Sequence, residues 1–392
     1  MFESTNEIVL SAIVVLAGGV ACVLGGKSIS VNPAISALLY LWHTVMGYYF
    51  SVYVLIHGGD ALAYYQRARF ALLELKLGTD FIPWLTSFPV SLGFTYWPCA
   101  FLYNAAGAMG LIYFYAAMKE SPAGQNPSAG GTALILISSF IPSLSLWTSA
   151  IGKDSLALLS VGLLLWSAMA FERRRTAAVI AVIVMLVVRP HIAALMMLSI
   201  GVGTILVSEL KSTVRLGMAA LAAAAAAFAI PFALTYSGTT KFETLSDYIG
   251  DRQVQNLGGG SSIDLSDMNP ALRVVSFLYR PFPNEASGFE QLATSVDNIL
   301  LIILTAFGGI AIYRAGAIRV FRRYTIAAVY GIPCLLLLSQ VTANLGLATR
   351  QKWMCVPPLL FLFVAAYGMA RAERLARRHQ FEPMTGHWQT LR

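Results

Sequence analysis

Five short polar stretches interrupt an otherwise apolar chain: HGGDALAYY (57–65), SAIGKD (149–154), VRPH (188–191), RPFPNEA (280–286) and NLGLATRQK (344–352). Asp60 and Glu285 are carboxylates able to take a proton from a hydroxyl. Arg189, Arg280 and Arg350 can grip a phosphate or diphosphate through paired N–H donors, while Lys153 and Lys352 supply point charges. Asp154, His191 and Tyr64 stand beside them as further polar contacts for a substrate. On insertion scales an ionisable residue at membrane depth costs at least ~2.5–3.5 kcal/mol. Such residues persist when they are paired or when they serve a polar cavity.

Each stretch also has a plainer explanation. Asp60 can cap the helix that follows it, and Asp154 can cap another. Arg189-Pro190-His191 can be a turn between two hairpin helices with a snorkelling arginine, and a lone His191 is more often a hydrogen-bonded structural residue. Arg280 and Glu285 can form a structural pair, held by the rigid backbone of Pro281 and Pro283. Arg350 and Lys352 can be interfacial anchors ahead of Trp353, whose indole suits the interface belt. The functional reading draws its weight from the five stretches falling on one face.

The elements that must position them are membrane helices. The 392 residues are 57% hydrophobic and 12% charged, whereas soluble domains carry about 25% charged residues. Apolar runs recur along the chain, so the fold expected is all-α: a polytopic bundle of about eleven spans. These fall near 8–25, 34–56, 97–118, 131–150, 154–171, 176–188, 191–210, 216–236, 297–314, 324–342 and 353–370. Residues 1–370 read as one transmembrane domain. Residues 57–96 form an outer loop with an interfacial helix, 237–296 a long outer loop, and 371–392 a basic cytoplasmic tail. Residues 61–76 set Tyr64, Tyr65, Phe70 and Leu73 against Gln66, Arg67, Arg69, Glu74 and Lys76, an amphipathic pattern suited to the interface. The first apolar run follows Glu3 and Glu7 and not a basic region, so it reads as a span and not a cleavable signal.

Lys and Arg set the orientation. With the N-terminus outside, 16 of the 27 basic residues fall on the inner side, among them Arg173 to Arg175, Arg319, Arg322, Arg323 and the tail arginines. The C-terminus is then cytoplasmic and the surplus charge of +8 is a topology signal, which argues against nucleic acid as a partner. Cys22, Cys99, Cys334 and Cys355 show neither metal-ligand nor disulfide spacing. GGGSS (258–262) lacks the lysine and the strand context of a phosphate-binding loop. No cofactor is required by these residues, and a divalent metal is not indicated.

The acid in an outer loop after an early span, followed by an amphipathic helix, resembles the C-type membrane glycosyltransferases, with Asp60 at the matching position. SAIGKDSLAL, VRPH, RPFPNEA and NLGLATRQK resemble bacterial polytopic proteins of surface-polysaccharide synthesis, over about residues 50–360. Two features depart from the C-type pattern: one Asp stands where an acidic pair is usual, and the loop follows the second span. The resemblance implies an enzyme of the bacterial inner membrane that polymerises or extends an exopolysaccharide at the outer face. Its partners would be polyprenyl-linked glycan donor and acceptor, membrane lipids, and proteins of export or chain-length control. Asp60 would be the base, with Glu285 the second candidate, and Arg189, Arg280, Arg350 and Lys352 would hold the lipid phosphates. A flippase of lipid-linked glycan is the rival from another class, and a non-catalytic export subunit is a third.

Overall fold

The computed structural model describes residues 4–70, 74–207, 262–265, 268–286 and 288–381, with isolated positions between 213 and 227. Most of the span expected over 216–236, the part of the expected outer loop up to residue 261 and the tail beyond residue 381 lie outside the described residues. Among those described the chain is all-helical, with one isolated bridge between Ser262 and Asn344.

Five helices are long and apolar enough to cross a membrane, or up to seven if each of two bent pairs is one span. Three open the bundle: α1 (Thr5–Ser28), α2 (Pro33–His57) and, after two shorter helices, α5 (Tyr96–Glu120). Their starts are set locally. Ser4 accepts from the Glu7 amide to cap α1, and Asn32 accepts from the Ala34 amide ahead of Pro33 to cap α2. Once begun, an apolar run in lipid has to continue as a helix, because each unpaired backbone group there costs several kcal/mol. α5 is the hub and is buried along most of its length. It packs on α1, α2 and α9 (Lys153–Met169). Small residues permit this. A Cβ at Gly110 would strike the α9 backbone at Leu158 and Leu159, and one at Gly47 would meet Asn104 and Ser149.

The outward sides of α1 and α2 carry exposed Ile8, Ile13, Leu16, Val20, Leu38 and Leu41, as a surface facing hydrocarbon requires. α5 runs about 37 Å by its 25 residues, enough to span a bilayer core of ~30 Å. One of its ends packs Tyr96 on Tyr65, beside the polar stretches. At the other end Glu120 meets Arg174 at 2.7 Å. The same end joins Arg319 to Glu373 and Arg371 to the Asn126 carbonyl. The basic clusters and the five polar stretches therefore sit at opposite ends of the bundle.

Several expectations need correction. The span expected over 131–150 is present as the apolar stretch Ala129–Trp147, long enough to cross a membrane, but its helix is interrupted at Phe140 and Ile141 between α7 (Ala129–Ser139) and α8 (Pro142–Trp147). Asp297 holds the break, because its carboxylate accepts from the Ser143 amide at 2.6 Å. The loop 57–96 carries two helices, α3 (Asp60–Phe70) and α4 (Phe81–Ser91). α3 is described over Asp60–Phe70 and does not reach Lys76, since Glu74 to Lys76 are not helical; Tyr64 and Tyr65 are buried, but Phe70 is 81% exposed. Leu73 lies outside the described residues. Trp353 is buried and not an interface anchor.

The remaining α-helices are α6 (Pro122–Gln125), α10 (Arg175–Val188), α11 (Pro190–Val207), α12 (Pro270–Tyr279), α13 (Phe289–Ala315), α14 (Ala317–Arg323), α15 (Thr325–Val341), α16 (Leu345–Gln351) and α17 (Val356–Phe381). Two helix pairs bend sharply: 104° between α14 and α15, and 50° between the segment Leu345–Met354 and α17.

Candidate functional site

Two helix starts, one helix break and one short helix meet at the end opposite the basic clusters. Gly58 and Gly59 have φ of 79° and 138°, which glycine adopts without steric penalty. That turn lets α2 stop and α3 start at once, with Asp60 as the first residue of α3. The residue ahead of it is Gly59, whose carbonyl takes the Ala63 amide. The Asp60 side chain is 55% exposed.

Asp154 is the second residue of α9, after Gly152 and Lys153. It does not act as a cap; both its oxygens take arginine donors. Arg189 Nη2 reaches Oδ1 at 2.6 Å, and Arg350 Nε reaches Oδ2 at 3.3 Å. Arg189 occupies the break between α10 and α11, where Pro190 begins the next helix. Its side chain is only 7% exposed, and that of Asp154 is 11% exposed. This buried pair is more than the snorkelling arginine of a surface turn. Arg350, in the last turn of α16, turns its other edge outward, and Nη2 donates to Asp60 Oδ2 at 2.9 Å. One guanidinium thus joins a buried carboxylate to an exposed one.

A cavity of about 120 Å³ opens beside this chain of charges, lined by Asp60, Tyr64, Trp147, Asp154 and Arg350 among others. It is large enough to admit a phosphate-sized group. Among the buried donors at this end without an acceptor are Trp147 Nε1, on the cavity wall, and Arg189 Nε, which is not part of the cavity lining. An unmet buried donor costs about 1–3 kcal/mol, so the Trp147 indole N–H on the cavity wall is open to a ligand oxygen. Burial, with Asp60 adding to it, pushes the Tyr64 hydroxyl up to about 12, so Tyr64 stays protonated and able to donate. Lys153 turns to the Thr79 hydroxyl at 3.0 Å.

Other candidates fall elsewhere. Arg280 and Glu285 pair with each other; Arg280 Nε donates to Oε1 at 2.9 Å and the Phe282 amide to Oε2 at 2.8 Å. The Arg280 hydrogen bond holds the Glu285 carboxyl below its usual range. This is the structural pair that the sequence left open. Lys352 is fully buried, with Nζ donating to Asn298 Oδ1 and to the Leu278 carbonyl. Asn298 in turn donates to the Pro281 carbonyl at 3.0 Å. Lys352 therefore fastens the RPFP turn to α13. His191 lies half-buried in the first turn of α11.

Sequence reasoning missed Trp147, Asp297 and Asn298. The adjacent Asp-Asn at the mouth of an apolar run was the signal for the last two. Among the described residues no group of three or more His, Cys, Asp or Glu side chains is placed to hold a metal. No protein-family model, curated protein or solved structure matches the chain.

Proposed function

We propose that the chain is a glycosyltransferase of the bacterial inner membrane, polymerising or extending a polyprenyl-linked surface polysaccharide at the outer face. In this reading the shorter apolar helices also enter the membrane. That gives about eleven spans, an outside N-terminus and a cytoplasmic C-terminus. One observation carries the proposal: an exposed carboxylate, Asp60, shares Arg350 with the buried Asp154–Arg189 pair beside a small cavity.

The chemistry follows from that sharing. Arg350 is anchored from behind by Asp154, so it can exchange Asp60 for a diphosphate oxygen without losing its place. The exchange frees the Asp60 oxygen that Arg350 holds, so that it can accept a proton. Asp60 then takes the proton of an acceptor hydroxyl whose oxygen attacks the anomeric carbon. The bond from that carbon to the lipid diphosphate breaks, and the oxygen leaves with the electron pair. Arg350 meets the charge that grows there. Tyr64 and the free indole N–H of Trp147 are donors for the sugar or the phosphate. Glu285 and Lys352 serve as positioning residues.

The two bent helix pairs favour a second reading, because discontinuous helices are common in transporters. Cells carrying Asp60→Ala or Arg350→Ala at matched expression separate the two. Single repeat units accumulating on the outer leaflet, with long polymer lost, support the transferase. Units trapped on the inner leaflet mean a flippase. Normal polymer from both variants removes the cluster from either role.

A further inference from the structure

At the basic end a groove of about 690 Å³ lies between α7, α13 and α17. Its floor is apolar, with Ile137, Phe307, Ile310 and Phe363 along it. Gly308 and Gly130 shape it, letting the Phe363 ring and the Tyr367 hydroxyl pass close to the neighbouring helix. The mouth is cationic: Arg314, Arg371, Arg374 and Arg378 all line it. Arg371 is used by the Asn126 carbonyl. Arg314, Arg374 and Arg378 have no carboxylate partner among the described residues. Glu373, the nearby acid on α17, is already taken by Arg319 and Arg377.

The dimensions select the occupant. From Arg314 the groove follows α13 to Leu304, about 15 Å at 1.5 Å per residue. That is half of a ~30 Å hydrocarbon core, the depth of one leaflet. A cationic mouth above a one-leaflet apolar slot matches a phosphate head group with its acyl chains below. Basic pockets between membrane helices hold anionic lipid head groups in this way.

We propose that this groove is a specific site for an anionic phospholipid of the leaflet next to the basic end. It stands apart from the cluster around Asp60 and does not depend on the role given to that cluster. The arginines do more here than set topology, because a topology signal needs no groove beneath it.

The test uses the purified full-length protein, with bound lipid counted by native mass spectrometry and affinity from titration. Phosphatidylglycerol is compared with phosphatidylcholine and with soluble glycerol phosphate. Wild type should retain phosphatidylglycerol in preference. The triple variant Arg314→Gln, Arg374→Gln, Arg378→Gln should weaken that binding on the order of 100-fold, at roughly fivefold per arginine. Ile310→Trp fills the slot from a position 48% exposed and leaves the arginines intact. It should weaken phosphatidylglycerol at least tenfold. Equal retention of the two phospholipids overturns the site, as does unchanged binding by either variant. Glycerol phosphate competing as well as the lipid would show that the groove contributes nothing. Unfolding temperatures matching wild type keep misfolding out of the comparison.

Discussion

Arg350 is the residue that joins the two carboxylates of the cluster, Asp60 and Asp154. It holds Asp60 at 2.9 Å and Asp154 at 3.3 Å through different nitrogens. Lysine has one nitrogen and cannot face both. Arg350→Lys should therefore keep the charge and the fold yet lower polymer synthesis by about tenfold or more, since a hydrogen bond to a charged group carries ~1.5–3 kcal/mol. Polymer length and yield in cells are the readout. Asp60→Asn tests the base directly. The side chain is half exposed, so the protein should reach the membrane at normal levels. Activity should fall by roughly 10²–10⁴, the range for losing a general base. Asp154→Asn should behave differently. It leaves Arg189 buried without its countercharge, which costs about 3–5 kcal/mol when one partner of a buried pair is removed. Its signature is a lowered unfolding temperature together with lost activity. If Asp154→Asn proves as stable as wild type, the buried pair is not what anchors Arg350.

At the scale of elements, the long helices were legible because each apolar run allows one backbone solution. α1, α2, α5, α9, α10 and α11 begin and end within a few residues of the runs that announce them. The break in 131–150 was not legible. It is held by Asp297, 154 residues away from Ser143, and local periodicity carries no trace of such a contact. The residue types of the site were legible, but not their pairing: Arg350 and Asp60 are 290 positions apart. Nor could the sequence choose between catalytic and structural readings of Glu285; its bonds to Arg280 and Phe282 now favour the structural one. That pair has a pH signature. Because the folded carboxyl is held low, its stabilisation is full above the unfolded value of about 4.3 and is lost as pH falls through the folded one. Melting of wild type and Glu285→Gln should differ at pH 7, begin to approach each other below about pH 4.3, and converge only once pH is below the lowered folded value. The Gly58 turn gives a second element-level prediction. An alanine there meets nothing within 4 Å but must hold φ near 79°, a strain of roughly 1–2 kcal/mol. Gly58→Ala should lower the unfolding temperature slightly and activity more, because relief of the strain moves Asp60.

At the scale of the molecule, the two polar ends have opposite characters, and function depends on which end faces out. The carboxylate cluster meets lipid-linked glycan only if it lies outside the cytoplasm. The arginine groove, by contrast, sits where the inside-positive bias places basic residues. Both statements share one orientation, and one labelling experiment tests it. The four native cysteines are all buried, and buried thiols react poorly, so the background is low. Phe70→Cys would place a thiol at a position 81% exposed on the carboxylate end, and Ile318→Cys one at a position 85% exposed on the basic end. A maleimide that cannot cross membranes should label Phe70→Cys in intact spheroplasts. It should label Ile318→Cys only after the membrane is opened. The reverse pattern would put Asp60 in the cytoplasm, where activated nucleotide sugars and not translocated lipid-linked repeats are at hand. The transferase proposed here would then have no substrate at its site, even though every distance in the cluster stayed the same.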